Sequence, residues 1–508
     1  MKKVSELKAG AILAYVNLAI SCIIPLGYTP IMLRILGQAE YGLYSLSNSV
    51  ISYLGLLTFG MGMTVMRYIT KYRAENDKDG LNRVMGLFTT IYVIFALFAC
   101  VVGCILAFGA KTFFAEGLNT SEVEKLKILI LLMTVSTAIS FPVSVFASAI
   151  LSFEKYIFRR SIEILGTIMA PLLNLVVLYA GYGSIGMAFA GTLLQVAYAP
   201  IYFLYCSRRL GIRLKFGKVP VSFLKEILGF SAVVFISSIA DLLFWSTDKV
   251  LIGAILGSVA VGVYNIGGVF TSMLQNMASA ISNVFFPRVT TMVIQKASPN
   301  ELTEILIRIG RVQYLLVSLI LSGYIVFGIP FIHFWSGDEY RDAYFVALVT
   351  IIPLSIPLIQ SIAYNIIIAQ KKHQFRSVMY VIIAVINVIS TYIVLPYYGI
   401  IGAAVCTGIS YLLGNGIALN IYYAKVIGLD ISGFWLNIGK MTIVPGVLTV
   451  IGGLLVNKII PVTTIYRFLL EVGIYTLLFV VLSWLFTMNK YEKELFRGVV
   501  RKFLHKKG

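Results

Sequence analysis

The chain has 508 residues, 59% of them hydrophobic and 12% charged, against roughly 45–50% apolar and about 25% charged in soluble domains. This balance excludes a water-soluble enzyme, a disordered chain and an ordinary nucleic-acid binder, and leaves an integral membrane protein. The net charge of +19, from 41 Lys and Arg against 22 Asp and Glu, is then read as topology and anionic-lipid contact.

A helix needs about 20 mostly apolar residues to cross hydrocarbon. Candidate spans fall near 9–33, 42–66, 84–108, 128–151, 162–180 and 185–206. A second set lies near 226–247, 250–286, 309–332, 343–369, 377–395 and 400–423, and a last pair near 438–457 and 464–487. The run after MKKVSELK has no small-residue cleavage site at its end, so it reads as a span and not a signal peptide. The 250–286 run exceeds one crossing, and its start is assigned to the connection after the seventh helix. The expectation is an all-α integral membrane protein of fourteen transmembrane helices, with both termini on one side.

Basic residues orient the spans. The terminal segments and even-numbered loops hold 32 Lys and Arg, the odd-numbered loops 7, and Arg311 and Arg467 fall inside spans. One miscounted span would put every later loop on the wrong side and erase the asymmetry, so the charge pattern supports the count and places both termini in the cytoplasm. The tail NKYEKELFRGVVRKFLHKKG spaces Leu495, Val499 and Phe503 four residues apart among Lys and Arg. That pattern suits an anionic leaflet, and a solvated tail that only enforces topology is the competing reading. The five cysteines, Cys22, Cys100, Cys104, Cys206 and Cys406, all lie in apolar runs, which argues against disulfides or a metal.

The sequence also repeats. Ile35-Leu36-Gly37 followed by Gly42-Leu43-Tyr44 recurs as Ile255-Leu256-Gly257 followed by Gly262-Val263-Tyr264. Tyr182-Gly183-Ser184-Ile185-Gly186 recurs as Tyr398-Gly399-Ile400-Ile401-Gly402, and Phe158-Arg159 as Phe375-Arg376. Three matches in one order, offset by 216–220 residues, mark a six-helix duplication. The expected organisation is a six-helix bundle over 1–210, a second over 211–425, an appended pair over 426–487 and a basic tail over 488–508. An even number of helices per half preserves orientation, and such parallel repeats enclose a substrate path in transporters.

The segment Arg34-Ile35-Leu36-Gly37-Gln38-Ala39-Glu40-Tyr41-Gly42-Leu43-Tyr44 resembles the signature of polysaccharide transporters in the MOP flippase superfamily. Asp248-Lys249-Val250-Leu251-Ile252-Gly253 with Gly262-Val263-Tyr264 is similar to their mid-chain motif. The resemblance implies a MOP/MATE-like fold and a Wzx-type flippase moving undecaprenyl-diphosphate-linked oligosaccharide across the bacterial cytoplasmic (inner) membrane. It also implies alternating access without a cofactor, a coupling cation (proton or sodium), anionic lipids and polysaccharide polymerase or assembly proteins as partners, and no nucleic acid.

Moving a sugar chain needs polar groups within apolar helices, because each unpartnered polar group in hydrocarbon costs several kcal/mol. Asn17, Asn265 and Gln313 are path candidates among the intramembrane amides, with interhelical hydrogen bonding the alternative. Asp241 lies midway along the seventh span and Asp248 two turns further on the same face, with Lys249 beside it. An acid there can take up an ion on one side and release it on the other, although Asp248 and Lys249 also read as an interfacial pair. Arg311 and Arg308, one turn apart, suit a diphosphate because a guanidinium fork matches its oxygens; Arg34 and Arg67 carry the same choice between substrate and lipid head groups. Pro25 and Pro30 in the first span are gate candidates, since each removes a backbone hydrogen bond. Glu471 is expected to pair with Arg467, and His333 to be a satisfied interfacial residue near Asp338.

Two rival functions remain. A MATE-like exporter of small molecules typically has twelve helices and an acid in the first, whereas span 9–33 has none. A membrane polysaccharide polymerase or transferase needs an acid, base or metal site on a substantial loop. The outer loops are short, the longest near 109–127, and the sequence has only three histidines and no metal-ligand spacing.

Overall fold

The structure is a computed structural model describing residues 2–217, 235, 238–372, 374–456, 462 and 464–504. Half of the expected seventh span, with Lys218, Lys225, His373, Lys458 and His505, lies outside the described residues.

Among the described residues every regular element is a helix. Helix α1 runs Lys2–Ser52, α2 Gly62–Ala74, α3 Lys78–Phe113, α4 Thr120–Ser152, α5 Tyr156–Tyr179 and α6 Gly183–Leu204. They are followed by α7 Thr247–Ile255, α8 Ser258–Ile294, α9 Pro299–Trp335, α10 Ala343–Ile359, α11 Ser361–Ala369 and α12 Gln374–Tyr411. Helices α13 Ile431–Met441, α14 Ile443–Leu454, α15 Ile465–Leu482 and α16 Lys490–Leu504 complete the chain.

Ten helical stretches among the described residues are long and apolar enough to cross a membrane, and the pair α10–α11, bent by 48°, makes an eleventh. Two of these stretches, Ala9–Ala74 and Gln374–Ile427, each contain two expected spans. Both are broken where the sequence analysis puts a turn, at Gly37 (φ 73°) and Gly399 (φ 59°). Split there, the described helices account for every expected span but the seventh.

The duplication is written into the backbone. Residues in the left-handed region pair across the repeat as Gly37 with Gly257, Asn76 with Lys296, Glu154 with Lys371, Gly183 with Gly399, and Gly211 with Gly428. Non-glycine residues rarely adopt that conformation, so its recurrence at the same loop corners is strong evidence of common architecture. Phe158 stacks on Tyr205 (centroids 3.6 Å apart) and, 217 residues on, Phe375 stacks on Tyr422 (4.4 Å).

Side chains cap the helix starts. Asn119 and Glu122 form a reciprocal capping box at α4, as do Ser298 and Glu301 at α9, where Pro299 fills the first turn. Along α3, Ile94, Leu97, Phe98, Val101, Ile105 and Phe108 are exposed, an apolar stripe at helical spacing that suits lipid contact.

The chain divides into two compact units. One comprises Met1–Asn265 with Tyr380–Ala403, and the other Ile266–Met379 with Ala404–Gly508. The first is cored by α3 against α4, where Gly103 lies against the Thr134 side chain and Phe88, Tyr92, Leu126 and Leu129 are buried. The second is built around α9. Its outer layer includes Val326, Phe327, Val444, Leu448, Phe468, Tyr475 and Phe479, which join α9 to the appended helices α14 and α15.

Candidate functional site

Within the first unit the two copies of the repeated motif meet each other. After Gly37, α1 presents Gln38 and Gly42; after Gly257, α8 presents Ser258 and Gly262. Residues four apart lie on one helix face, so each motif sets a glycine beside the backbone carbonyl one turn before it. A Cβ on Gly42 would overlap the Ser258 carbonyl, and one on Gly262 would come 2.9 Å from the Gln38 carbonyl oxygen and 3.6 Å from Gly42 Cα. The contact is reciprocal, each glycine facing the carbonyl four residues before the other. Such spacing lets backbones approach closely in a membrane, where dispersion and weak polar contacts replace the hydrophobic effect. A second close approach lies beside it: a Cβ on Gly257 would come 2.5 Å from the Gly117 carbonyl, and one on Gly253 2.7 Å from Leu46.

Polar pairs flank this seam. Asn265 Nδ2 donates to Tyr41 Oη at 2.6 Å, Ser52 Oγ donates to Ser246 Oγ at 2.9 Å, and the Tyr53 and Thr247 hydroxyls share a hydrogen bond of 2.5 Å. Ser258 Oγ donates to Glu122 at 2.5 Å. Glu40 accepts from Lys125 (2.9 Å) and from the Ser184 amide (2.7 Å), tying the motif turn to the starts of α4 and α6. These pairs satisfy groups that hydrocarbon or packed protein would otherwise penalise.

Asp248 sits in the same layer. It is 1% exposed and accepts from Tyr264 Oη at 2.8 Å, so the mid-chain motif supplies both the acid and its donor. Lys249, the next residue, is half-buried. Asp241, two turns earlier, is exposed. Of the candidate residues, Asp248, Lys249 and Asn265 therefore lie at or beside the seam. Arg34 and Arg67 are exposed along the first two spans, and Asn17 accepts from Thr167 at 3.1 Å. Pro25 and Pro30 lie inside α1, whose backbone leaves helical geometry at Gly37.

The remaining candidates lie in the second unit. Gln313 is fully buried, with its amide facing the Leu358 and Ile359 carbonyls at 2.9 and 3.1 Å and the Ser361 hydroxyl. Its nitrogen belongs on the carbonyl side, where it satisfies groups released by the bend between α10 and α11. The Arg311 fork is taken by Glu492, through Nε–Oε1 at 2.6 Å and Nη2–Oε2 at 3.2 Å. Arg308 pairs with Glu304 at 2.7 Å, Arg467 with Glu471 at 2.8 Å, and His333 with Asp338 at 2.6 Å. Two apolar cavities flank α15. One of about 290 Å³ is lined by Phe270, Tyr324, Phe327, Phe331 and Phe468, and one of about 220 Å³ by Leu448, Ile451, Leu455, Ile474 and Leu478.

Sequence reasoning missed the partners in the seam and Glu492. A usable signal was present for the first, since Gln38 and Gly42 stand 220 residues before Ser258 and Gly262 with the same four-residue spacing. Asn489 and Glu492 have capping-box spacing, but the sequence does not show that Arg311 reaches them.

Known proteins share this architecture. A computed match to the flippase MurJ, described as "Lipid II flippase MurJ, inward closed conformation", has a TM-score of 0.69 at 13% identity, covering 94% of this chain and 98% of that one. An inward-facing multidrug resistance MATE family transporter of the MOP superfamily matches with a TM-score of 0.63 at 16% identity, covering 84% of this chain and 98% of that one. In sequence, the membrane protein EpsK of Bacillus subtilis (strain 168) is 20% identical over 420 residues, 79% of each chain. A Shigella flexneri protein named as an O-antigen transporter is 20% identical over 414 residues, 80% of this chain and 95% of that one. The polysaccharide biosynthesis protein family matches residues 7–293, more than half of the sequence. With its many apolar helices long enough to cross a membrane and its duplicated motif, the chain belongs to the polysaccharide biosynthesis protein family.

Proposed function

We propose that this protein moves a lipid-linked oligosaccharide, an undecaprenyl-diphosphate-borne O-antigen, capsule or exopolysaccharide unit, from the inner to the outer leaflet of the bacterial cytoplasmic membrane by alternating access. The observation that carries this reading is the meeting of the two motif copies. Its closest approach is backbone against backbone, flanked by hydroxyl pairs, which is tight enough to exclude a head group. Residues 1–210 and 211–425 are the halves that separate there, and the seam closes the outer end. A hydrophilic head group then passes between the halves, while apolar cavities such as those beside α15 suit a prenyl tail. Asp248, under the seam, is the candidate site for a coupling proton or sodium ion, with Asp241 a second acid near the path. A potential of about 100 mV supplies roughly 2.3 kcal/mol per charge moved, enough to bias such a cycle without nucleotide.

In proteoliposomes, purified protein is expected to move a fluorescent lipid-linked oligosaccharide between leaflets without ATP; a requirement for nucleotide hydrolysis would overturn the proposal. Orientation has its own test. In whole cells, Tyr182→Cys and Tyr398→Cys should react with an impermeant thiol reagent, and Lys71→Cys and Lys372→Cys only after permeabilisation. All four residues except Tyr182 and Tyr398 carry the basic-loop signature, and both tyrosines are strongly exposed at 69% and 74%. The reverse labelling pattern would invert the topology.

A further inference from the structure

We propose that α16 is a lipid-reading arm, anchored at its first turn to α9 by Arg311 and Glu492 and laid on the inner leaflet, where it binds anionic head groups. The proposal rests on the reading of this end as cytoplasmic.

The anchor is built into the protein interior. Glu492 is fully buried and the Arg311 side chain only 11% exposed. The Glu492 carboxylate takes both arms of the guanidinium fork and also accepts from the Asn489 backbone at 2.9 Å, completing a capping box at the helix start. Arg311 Nη2 further donates to the Thr487 carbonyl at 2.9 Å, at the end of the last span. One arginine thus fixes the corner between the last span and α16. Burying two charges costs desolvation that only good geometry repays, and a tail that merely enforced topology has no use for such a joint. Cation–ring contacts reinforce it. The Arg308 guanidinium lies 4.7 Å from the Tyr491 ring centre, and Arg497 lies 5.5 Å from that of Trp484.

Beyond the joint the helix changes character. Leu495 and Phe496 are 36% and 41% exposed beside exposed Arg497. Arg501, Lys502, Lys506 and Lys507 follow, with no acid after Glu494. Since Arg311 neutralises Glu492, one exposed acid faces seven cations between Lys490 and Lys507. Apolar residues set among cations are the pattern of a helix lying in a lipid interface, and the charge excess specifies an anionic one.

The test uses the full chain with its five cysteines replaced, carrying Gly498→Cys labelled with an environment-sensitive fluorophore; nothing lies within 4 Å of that glycine's side-chain position. Nanodiscs expose both membrane faces, so the readout does not depend on orientation. In discs containing phosphatidylglycerol the label should shift to an apolar emission and be shielded from an aqueous quencher, and in phosphatidylcholine discs it should stay water-like. Arg501→Gln and Lys502→Gln, beyond the cations that contact the joint, should each weaken docking by about fivefold, the factor one cation near an anionic surface carries. Glu492→Gln should free the joint and lower the label's anisotropy, and the swap Arg311→Glu with Glu492→Arg should restore it. Water-like emission in both lipids, or shielding in both, overturns the proposal, the latter meaning that protein covers the arm. Flipping by the same labelled sample, measured separately, distinguishes failure of the arm from failure of the transport reading.

Discussion

A protein carrying Ser52→Cys and Ser246→Cys is expected to form a disulfide under mild oxidation, lose transport and recover it on reduction. The two hydroxyl oxygens lie 2.9 Å apart, and an S–S bond spans about 2.05 Å, so sulfurs at these positions need only a small side-chain rotation to join. If transport requires the motif seam to part, a covalent tie beside it stops the cycle, and activity should fall by at least about tenfold, a barrier of more than about 1.4 kcal/mol. Gly42→Ala attacks the same contact from the opposite direction. Its methyl group has no space against the Ser258 carbonyl, and overpacking of this kind costs about 1–3 kcal/mol. The closed arrangement should lose population by about 5- to 150-fold, read as slower cross-linking between residues 52 and 246. Gly27→Ala, where nothing lies within 4 Å, should leave cross-linking unchanged. Full transport by the oxidised protein would show that the seam is static.

The class of fold was readable in the sequence because lipid imposes length and polarity on every crossing. The breaks at Gly37 and Gly399 fall between runs separated by turn residues, whereas the left-handed pair Asn76 and Lys296 falls in basic loops that share no matching residues and emerges only from the backbone. The site was only half legible. Asp248 and Asn265 stood out as polar residues near apolar runs, and the structure places both by the seam. The partner of Asn265 and the hydroxyl pairs beside it were hidden, because Tyr41, Ser52, Tyr53, Ser246 and Thr247 are ordinary residues until contacts across about two hundred positions pair them. Arg311 illustrates the opposite case: its chemistry suits a diphosphate, yet a carboxylate presents the same paired oxygens, and Glu492 lies within reach. Nothing in local spacing separates those two uses of a guanidinium fork.

Asp248→Asn is expected to insert normally and transport at a small fraction of the wild-type rate. The amide keeps the size of the carboxylate and still offers an oxygen to Tyr264, whose hydroxyl now lies 2.8 Å from Asp248 Oδ2, so the local packing survives while the exchangeable charge is lost. Removing one coupled charge forfeits roughly 2.3 kcal/mol of drive at 100 mV, about a fiftyfold loss in the accumulation that potential can sustain. Flipping in proteoliposomes with an imposed potential or ion gradient should therefore become insensitive to that gradient. Asp248→Ala should do more damage, since it also removes the buried carboxylate to which Tyr264 Oη donates, a loss of about 1–3 kcal/mol; lower thermal stability in detergent would register that difference. Asp241→Asn, at an exposed position two turns earlier, should lower transport while leaving membrane insertion intact. Gradient-driven flipping by Asp248→Asn at the wild-type rate would make the buried acid a packing element and move the coupling role to Asp241.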